Sequence, residues 1–200
     1  MKTSKCGRTI LCLFVCLLVF GLCAQSARAD IAMGAAVDNW DIEWTYDSST
    51  RFSFYGQTTT WFYGGSSAQS GDIFDNEVSE FLGYTPYCAA GSQVRFVWKV
   101  SSEAGYDKLR FLIDGVEQAS ISGEVGWQTR TFSIPYPGPY TPGYHVVRWQ
   151  YIKDSTLSAG ADAAWVDKVE IISGVTGYDV TIWAWCASES QGWISRPITK

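Results

Sequence analysis

A two-residue alternation of apolar and polar side chains constrains the fold most strongly. In residues 93–101, Val94, Phe96, Trp98 and Val100 share one parity, and the other parity is mostly polar. This alternation places one face of an extended strand against a core and the other toward water. Because no stretch after residue 30 sustains a 3.6-residue apolar period, the chain is predicted to be all-β.

Turn residues divide the chain into many short strands. Asp114-Gly115 follows the strand at residues 109–113 and suits a type I′ hairpin turn, because both central residues need positive φ. We expect residues 116–121 to pair back on that strand. Further strands are predicted at residues 41–46, 79–83, 127–134, 144–151 and 163–173. Strands at this spacing predict an antiparallel β-sandwich of the jelly-roll kind.

The N-terminus has the layout of a secretory signal peptide. Lys2, Lys5 and Arg8 precede a 14-residue apolar run at residues 10–23, and a small-residue site ends at Ala29. The run is shorter than the ~18 residues that a membrane-spanning helix needs. We therefore predict a signal peptide helix at residues 1–29, cleaved after Ala29. The mature chain is expected to be secreted, in the extracellular space or on the cell surface, without insertion into a membrane.

The mature chain is acidic and long enough for one domain. Removing residues 1–29 leaves 171 residues with 11 basic and 20 acidic side chains, a net charge of −9. Such a charge disfavours nucleic acid or an anionic membrane as a partner. The sandwich is predicted over residues 30–173. Residues 174–200 form a C-terminal β segment, with strands at 178–186 and 193–199, that either docks on the sandwich or begins an incomplete second domain.

Only two cysteines remain after cleavage, Cys88 and Cys186. In an oxidising compartment they could form a disulfide. Cys186, however, shares strand parity with Val180, Ile182 and Ala184, which favours a buried free thiol. Both interpretations stay open.

Several segments resemble a known bacterial extracellular module. They are residues 36–39, 68–71, 96–103, 106–116, 121–127, 149–154 and 162–169. Over residues 36–172 the chain resembles the concanavalin-like jelly-roll repeats, related to MAM-type and cleaved-adhesin domains, of large secreted and surface bacterial proteins. The resemblance implies a β-sandwich associated with cell-surface attachment or glycan binding. Cys88 and the proline-rich insertion before His145 depart from the pattern.

The C-terminal residues resemble a different bacterial module. Residues 180–186 and 197–199 are similar to the opening of a short immunoglobulin-like bacterial repeat. A complete repeat would need several tens more residues. The resemblance therefore implies that this chain is the front end of a longer protein or comes from a truncated gene.

Catalytic residues of the common kinds are not apparent in the sequence. The single histidine, His145, shares parity with Val147 and Trp149, which indicates a structural role. Glycoside hydrolases of this fold need two facing carboxylates, but Glu77 and Glu80 are three residues apart, and Glu117 and Glu124 flank a turn. We predict that the chain is not an enzyme, and a glycoside hydrolase is the third-ranked alternative.

Acidic residues in predicted loops suggest a structural calcium ion, and no other cofactor is expected. Asp72 and Asp75 lie in one acidic loop, whereas Asp162 and Asp167 bracket the start of the last sandwich strand. Carboxylate oxygens are the ligands that Ca²⁺ prefers. The alternative is that these residues only form turns and keep the surface soluble.

Aromatic residues in predicted loops are candidates for stacking on sugar rings. Trp61 and Tyr63 lie beside Gly64-Gly65, and Tyr136, Tyr140 and Tyr144 belong to or border a loop at residues 135–143 that holds four prolines. Packing over the end of a sheet is the alternative for the tyrosines. The leading hypothesis is a secreted, non-catalytic module that attaches to a cell surface or binds carbohydrate. The second is a structural spacer within a larger surface protein.

Overall fold

The structure is a computed structural model that describes residues 31–136, 143–174, 182–184 and 194–196. The predicted signal peptide, Tyr140 and Cys186 lie outside these residues. The described elements are α1 (Met33–Ala36), β1 (Glu43–Thr45), β2 (Tyr55–Gln57), β3 (Ser67–Gln69), β4 (Val78–Tyr84), β5 (Gln93–Ser101), β6 (Lys108–Ile113), β7 (Val116–Ser122), β8 (Glu124–Ser133), β9 (Val146–Ile152), β10 (Ala163–Ile172), β11 (Ile182–Ala184) and β12 (Ile194–Arg196).

Ten of these strands form two antiparallel five-stranded sheets. Sheet I has the order β1-β4-β9-β6-β7, and sheet II has the order β2-β3-β10-β5-β8. Along the chain, strands β3 to β6 alternate between sheet II and sheet I. Strands β7 to β10 then alternate between sheet I and sheet II. This winding is that of a jelly roll. The predicted all-β sandwich is therefore confirmed.

The β6–β7 hairpin has the predicted turn. Asp114 and Gly115 both have positive φ, 50° and 81°, and Ile113 pairs with Val116. These values match a type I′ turn, whose twist suits the twist of the two strands. The Asp-Gly pair thus determines where the chain reverses.

Aromatic rings fill the space between the sheets. Phe96 from sheet II packs against Phe111 and Trp149 from sheet I, with ring centroids 4.7 and 5.1 Å apart. Phe81 stacks on Trp149 at 5.0 Å with an interplanar angle of 10°. These rings are fully or almost fully buried, as the alternation within their strands predicts.

Two short strands of sheet II have no counterpart in the sequence predictions. β2 and β3 contain three residues each and include Gly56, Ser67 and Gln69. Three residues are too few to show an alternation. The β2–β3 pairing in sheet II holds them in place, with Tyr55 opposite Gln69.

The C-terminal segment contains a pair of strands within the two ranges predicted there. β11 and β12 pair antiparallel, with Trp183 opposite Ser195. That these two strands begin an immunoglobulin-like repeat stays a prediction. In the parts of the chain described here, we find no helix long and apolar enough to span a membrane.

Candidate functional site

The outer face of sheet II is buried at its centre. Val97 on β5 and Trp165 and Asp167 on β10 are at most 5% exposed, although their parity is opposite to that of the core residues Trp98 and Val166. Alternation along a strand therefore points them away from the core. A segment outside the sheet must cover them.

The loop that connects β2 to β3, residues 58–66, supplies this cover, and we call it the aromatic loop. Asp167 Oδ2 accepts hydrogen bonds from the backbone N–H groups of Phe62 and Tyr63, at 2.7 and 2.9 Å. Phe62 also lies 6.1 Å from the ring of Trp127 on β8. Because β10 and β5 separate β3 from β8, the loop extends across the face of the sheet.

The base of the aromatic loop is fixed by Gln57. Its Oε1 accepts hydrogen bonds from the N–H groups of Thr59 and Thr60, at 2.6 and 2.9 Å, and its Nε2 donates to the carbonyl of Thr60 at 2.6 Å. The same Nε2 donates to Ser67 Oγ. These bonds give the loop a defined conformation.

Gly64 allows the loop to approach Asp38 closely. Its φ is +66°, and a Cβ atom there would lie 2.4 Å from Asp38 Oδ1. Burial raises the pKa of Asp38 and also that of Asp167, where the Asp38 charge adds to the increase. The positive charge of Lys168 acts against this increase at Asp38, and its Nζ lies 4.5 Å from the ring centroid of Tyr63.

A β-bulge in β10 sets the directions in which the side chains of Asp167 and Val169 point. The register with β5 shifts between Asp167 and Glu170, and Lys168 has a φ of +49°. A bulge re-aims side chains along a strand. As a result Asp167 holds the aromatic loop while Val169 belongs to the core.

The aromatic loop presents three consecutive rings to solvent. Trp61, Phe62 and Tyr63 are 49, 47 and 52% exposed. Trp61 and Tyr63 are candidates from the sequence, because they lie beside two glycines. Trp127 is not, since only the β5–β8 pairing brings it to Phe62.

A polar cleft of about 230 Å³ lies at the other end of the β2–β3 hairpin. Tyr55, Gln69, Asp72 and Asp162 are among its lining residues. Gln69 Oε1 accepts a hydrogen bond from the indole N–H of Trp165 at 2.9 Å, so the cleft borders the outer face of sheet II. The cleft therefore offers hydrogen-bonding groups on the same side of the molecule as the aromatic loop.

The four predicted calcium ligands do not converge on one point. Asp72 and Asp162 line the polar cleft, whereas Asp167 holds the aromatic loop and Asp75 is exposed outside the cleft. Asp162 already accepts a hydrogen bond from the Tyr151 hydroxyl at 2.7 Å and forms an ion pair with Lys153. A calcium ion at these residues stays a prediction.

The tyrosines near the proline-rich loop form a second exposed aromatic patch. Tyr144 is 64% exposed and Tyr87 is 54% exposed, and their rings meet edge to face at 6.2 Å. Tyr136 is half-buried, and Tyr140 lies outside the described residues. Tyr87 is not predicted from the sequence, because no pattern links it to the loop.

His145 is buried, as its shared parity with Val147 and Trp149 predicts. It is 6% exposed, and its Nδ1 lies 2.7 Å from Asp114 Oδ2, while Asp114 Oδ1 accepts the Val146 N–H at 2.9 Å. These contacts tie the β6–β7 turn to the start of β9.

The carboxylates considered for hydrolysis have other partners. Glu77 pairs with Arg51, Glu80 with Arg148, and Glu117 with Arg110. Glu124 accepts a hydrogen bond from Ser101 at 2.6 Å.

Cys88 is a buried residue of the segment that precedes β5. Its Sγ lies 3.5 Å from Thr85 Oγ1 and 3.3 Å from the carbonyl of Pro86. Burial raises the pKa of the thiol. Pairing with Cys186 stays a prediction, because Cys186 is outside the described residues.

Comparison with known proteins finds similarity to solved structures only. No family model and no curated protein match the chain. The K1 cleaved adhesin domain of Lys-gingipain from Porphyromonas gingivalis W83 aligns at 10% identity and a TM-score of 0.46, over 74% of this chain and 95% of that one. The carbohydrate-binding module TmCBM61, solved with β-1,4-galactotriose, aligns at 10% identity and a TM-score of 0.44, over 72% of this chain and 99% of that one.

A secreted enzyme is also among the similar structures. The serine protease VesC from Vibrio cholerae aligns at 16% identity and a TM-score of 0.45, over 59% of this chain. The alignment spans only 24% of VesC.

Proposed function

We propose that this chain is a secreted, non-catalytic module that attaches to surfaces by binding carbohydrate, and that the aromatic loop makes the contact. One observation carries the proposal. Three consecutive rings, Trp61, Phe62 and Tyr63, are each about half exposed on a loop that hydrogen bonds fix to the sheet.

Ring exposure on an anchored loop suits a sugar ligand. Aromatic side chains combine a large apolar face with polar edges, and the C–H face of a pyranose ring can stack on such a surface. Because Asp167 and Gln57 already order the loop, binding loses little conformational entropy. The lysine over Tyr63 covers one of its faces, so Trp61 is the ring that we expect to contribute most.

The polar cleft can provide directional hydrogen bonds to a sugar, which aromatic stacking alone does not provide. Sugar sites combine aromatic surface with a few placed polar groups. Gln69 and Asp72 line the cleft on the same side of sheet II. The net charge of −9 for the predicted mature chain disfavours an anionic polysaccharide. A neutral glycan is therefore the proposed ligand class.

Binding of the purified secreted chain to an array of neutral glycans tests the proposal, followed by calorimetric titration of the best ligand. We expect Trp61→Ala to weaken binding at least tenfold. Tyr144→Ala is the matched control, because Tyr144 is also an exposed aromatic residue but belongs to the second aromatic patch. It should leave the affinity within twofold.

Two outcomes contradict the proposal. Binding that depends on Tyr144 and not on Trp61 would move the site to the second aromatic patch. Silence across the array, with all variants folded, would favour the structural spacer.

A further inference from the structure

Three carboxylates meet at one end of sheet I, and we call them the acidic cluster: Glu103, Asp107 and Asp154. Asp107 immediately precedes β6, and Asp154 comes two residues after β9. Because Lys108 pairs with Ile152, the ends of these two strands lie side by side. One carboxylate oxygen from each of the three residues lies within 4.8 Å of the other two.

Two oxygens of the acidic cluster are buried and have no hydrogen-bond partner among the described residues, namely Asp107 Oδ2 and Glu103 Oε2. Asp107 is fully buried, and its other oxygen, Oδ1, accepts the backbone N–H of Asp154 at 3.0 Å. A buried charged oxygen without a partner is costly. These two orphaned oxygens therefore point to a ligand that carries positive charge.

The lysine whose charge acts on Asp107, Lys153, is already engaged. Lys153 is buried, and its Nζ pairs with Asp162 and donates to Ser158 Oγ. Burial raises the pKa of both Glu103 and Asp107, and the charge of Asp154 adds to the increase in each case. The lysine is thus paired with a carboxylate outside the cluster.

We propose that the acidic cluster binds a Ca²⁺ ion. Calcium takes six to eight oxygen ligands at about 2.3–2.6 Å, so two of its ligands can lie up to about 5 Å apart. The 4.8 Å limit on the cluster's oxygens fits this span. All three side chains offer hard oxygen donors, which favours calcium over zinc or copper. Backbone carbonyls and water complete the shell.

This site differs from the calcium ligands predicted from the sequence, which are Asp72, Asp75, Asp162 and Asp167. The sequence gives no sign of it, because Glu103 and Asp154 are far apart in the chain and meet only through the β6–β9 pairing. The ion would join the β5–β6 loop to the segment after β9.

Calorimetric titration of the metal-stripped, secreted chain with CaCl₂ tests the inference, with MgCl₂ as the competing ion. We expect one Ca²⁺ per chain with a Kd of about 10⁻⁴ to 10⁻³ M, the range of extracellular modules. At saturating Ca²⁺ the Tm should rise by about 5 °C, because the ion binds only the folded state. Equal or tighter binding of Mg²⁺ would overturn the assignment to calcium.

Asp107→Asn is the decisive variant. Its amide oxygen can still accept the Asp154 N–H, and its amino group can donate to the neighbouring carboxylates, so the metal-free fold is retained and its Tm does not fall. Calcium binding should weaken at least tenfold, and Glu103→Gln should have a similar effect. Asp72→Asn is the matched control, because Asp72 is a sequence-predicted ligand outside the cluster.

The variants separate the two calcium assignments. Loss of binding in Asp107→Asn with normal binding in Asp72→Asn supports the acidic cluster. The reverse pattern, or no calcium binding in the millimolar range, overturns it.

Discussion

Asp167 shows how one buried side chain can position a whole surface. Its carboxylate accepts two backbone N–H groups from the aromatic loop, and the residue is fully buried. A hydrogen bond to a charged acceptor contributes more than one between neutral groups. The exposed rings at Phe62 and Tyr63 therefore depend on a residue that has no contact with solvent.

Asp167→Ala should destabilise the fold and weaken glycan binding together. Two partly buried N–H groups lose their acceptor, which costs about 1–3 kcal/mol in the free energy of unfolding. We expect a drop of that size in urea denaturation and a loss of glycan affinity of at least tenfold. Asp75→Ala, at an exposed acidic position, should change stability by less than about 0.5 kcal/mol. An unchanged glycan affinity in Asp167→Ala would show that the loop does not need this anchor.

Glu77 should make stability depend on pH in the acid range. Arg51 donates two hydrogen bonds to its carboxylate, at 2.9 and 2.6 Å, and holds the pKa of Glu77 at about 2. Because the pKa is lower in the folded state, this stabilisation is present above about pH 4.5 and is lost as the pH falls toward 2. We expect Glu77→Gln to lower the Tm at pH 7 and to have little effect near pH 2. A deficit that is the same at both pH values would contradict this assignment.

At the scale of elements, the long strands were predictable and the placement of the aromatic loop was not. β5 carries apolar residues that alternate over nine positions, β10 is a ten-residue, mostly apolar strand, and the predicted ranges of both match the structure closely. β2 and β3 are too short to show a period. The aromatic loop between them could be recognised as a turn with exposed rings, but its position over sheet II depends on Asp167, which lies about 100 residues away.

The same limit applies to the candidate sites. Trp61 and Tyr63 were predictable from their neighbouring glycines, whereas Trp127 and Tyr87 become neighbours of other rings only through the fold. The acidic cluster is assembled in the same way, by strand pairing between distant segments. Local patterns cannot predict such contacts.

Gly64 and Gly65 form a matched pair for testing the aromatic loop. Both have positive φ, +66° and +89°, but a Cβ at Gly64 would meet Asp38 at 2.4 Å, whereas one at Gly65 would meet nothing within 4 Å. Alanine at either position therefore carries the same backbone strain, about 1–2 kcal/mol. We expect Gly64→Ala to cost at least about 1 kcal/mol more in urea denaturation and to weaken glycan binding further. Equal effects would show that the contact with Asp38 is not needed.

At the scale of the whole molecule, one aromatic core unites the two sheets. Phe111 and Trp149 from sheet I contact Phe96 from sheet II, with centroid distances of 4.7 and 5.1 Å. Rings at such distances stabilise each other beyond the burial of their area. The sandwich should therefore unfold as one cooperative unit.

Phe111→Ala should test this coupling. The substitution removes a fully buried ring and should lower the free energy of unfolding by about 3–5 kcal/mol. Transitions followed by tryptophan fluorescence and by far-UV circular dichroism should still coincide. Val116→Thr, at a 63% exposed position, should stay within about 0.5 kcal/mol. Separate transitions for the two probes would show that the sheets unfold independently.

The place of β10 in sheet II has a mechanical consequence. This strand lies between β3 and β5 and is antiparallel to both, and the chain continues from it past Ile172. A pull on that continuation along the strand axis, with the opposite end of the sandwich held, would load the hydrogen bonds on both sides of β10 in shear, and the longer β5–β10 ladder would carry most of the load. An edge strand would instead peel away one bond at a time. The central position of β10 thus resists its extraction from the sheet by a pull along the chain.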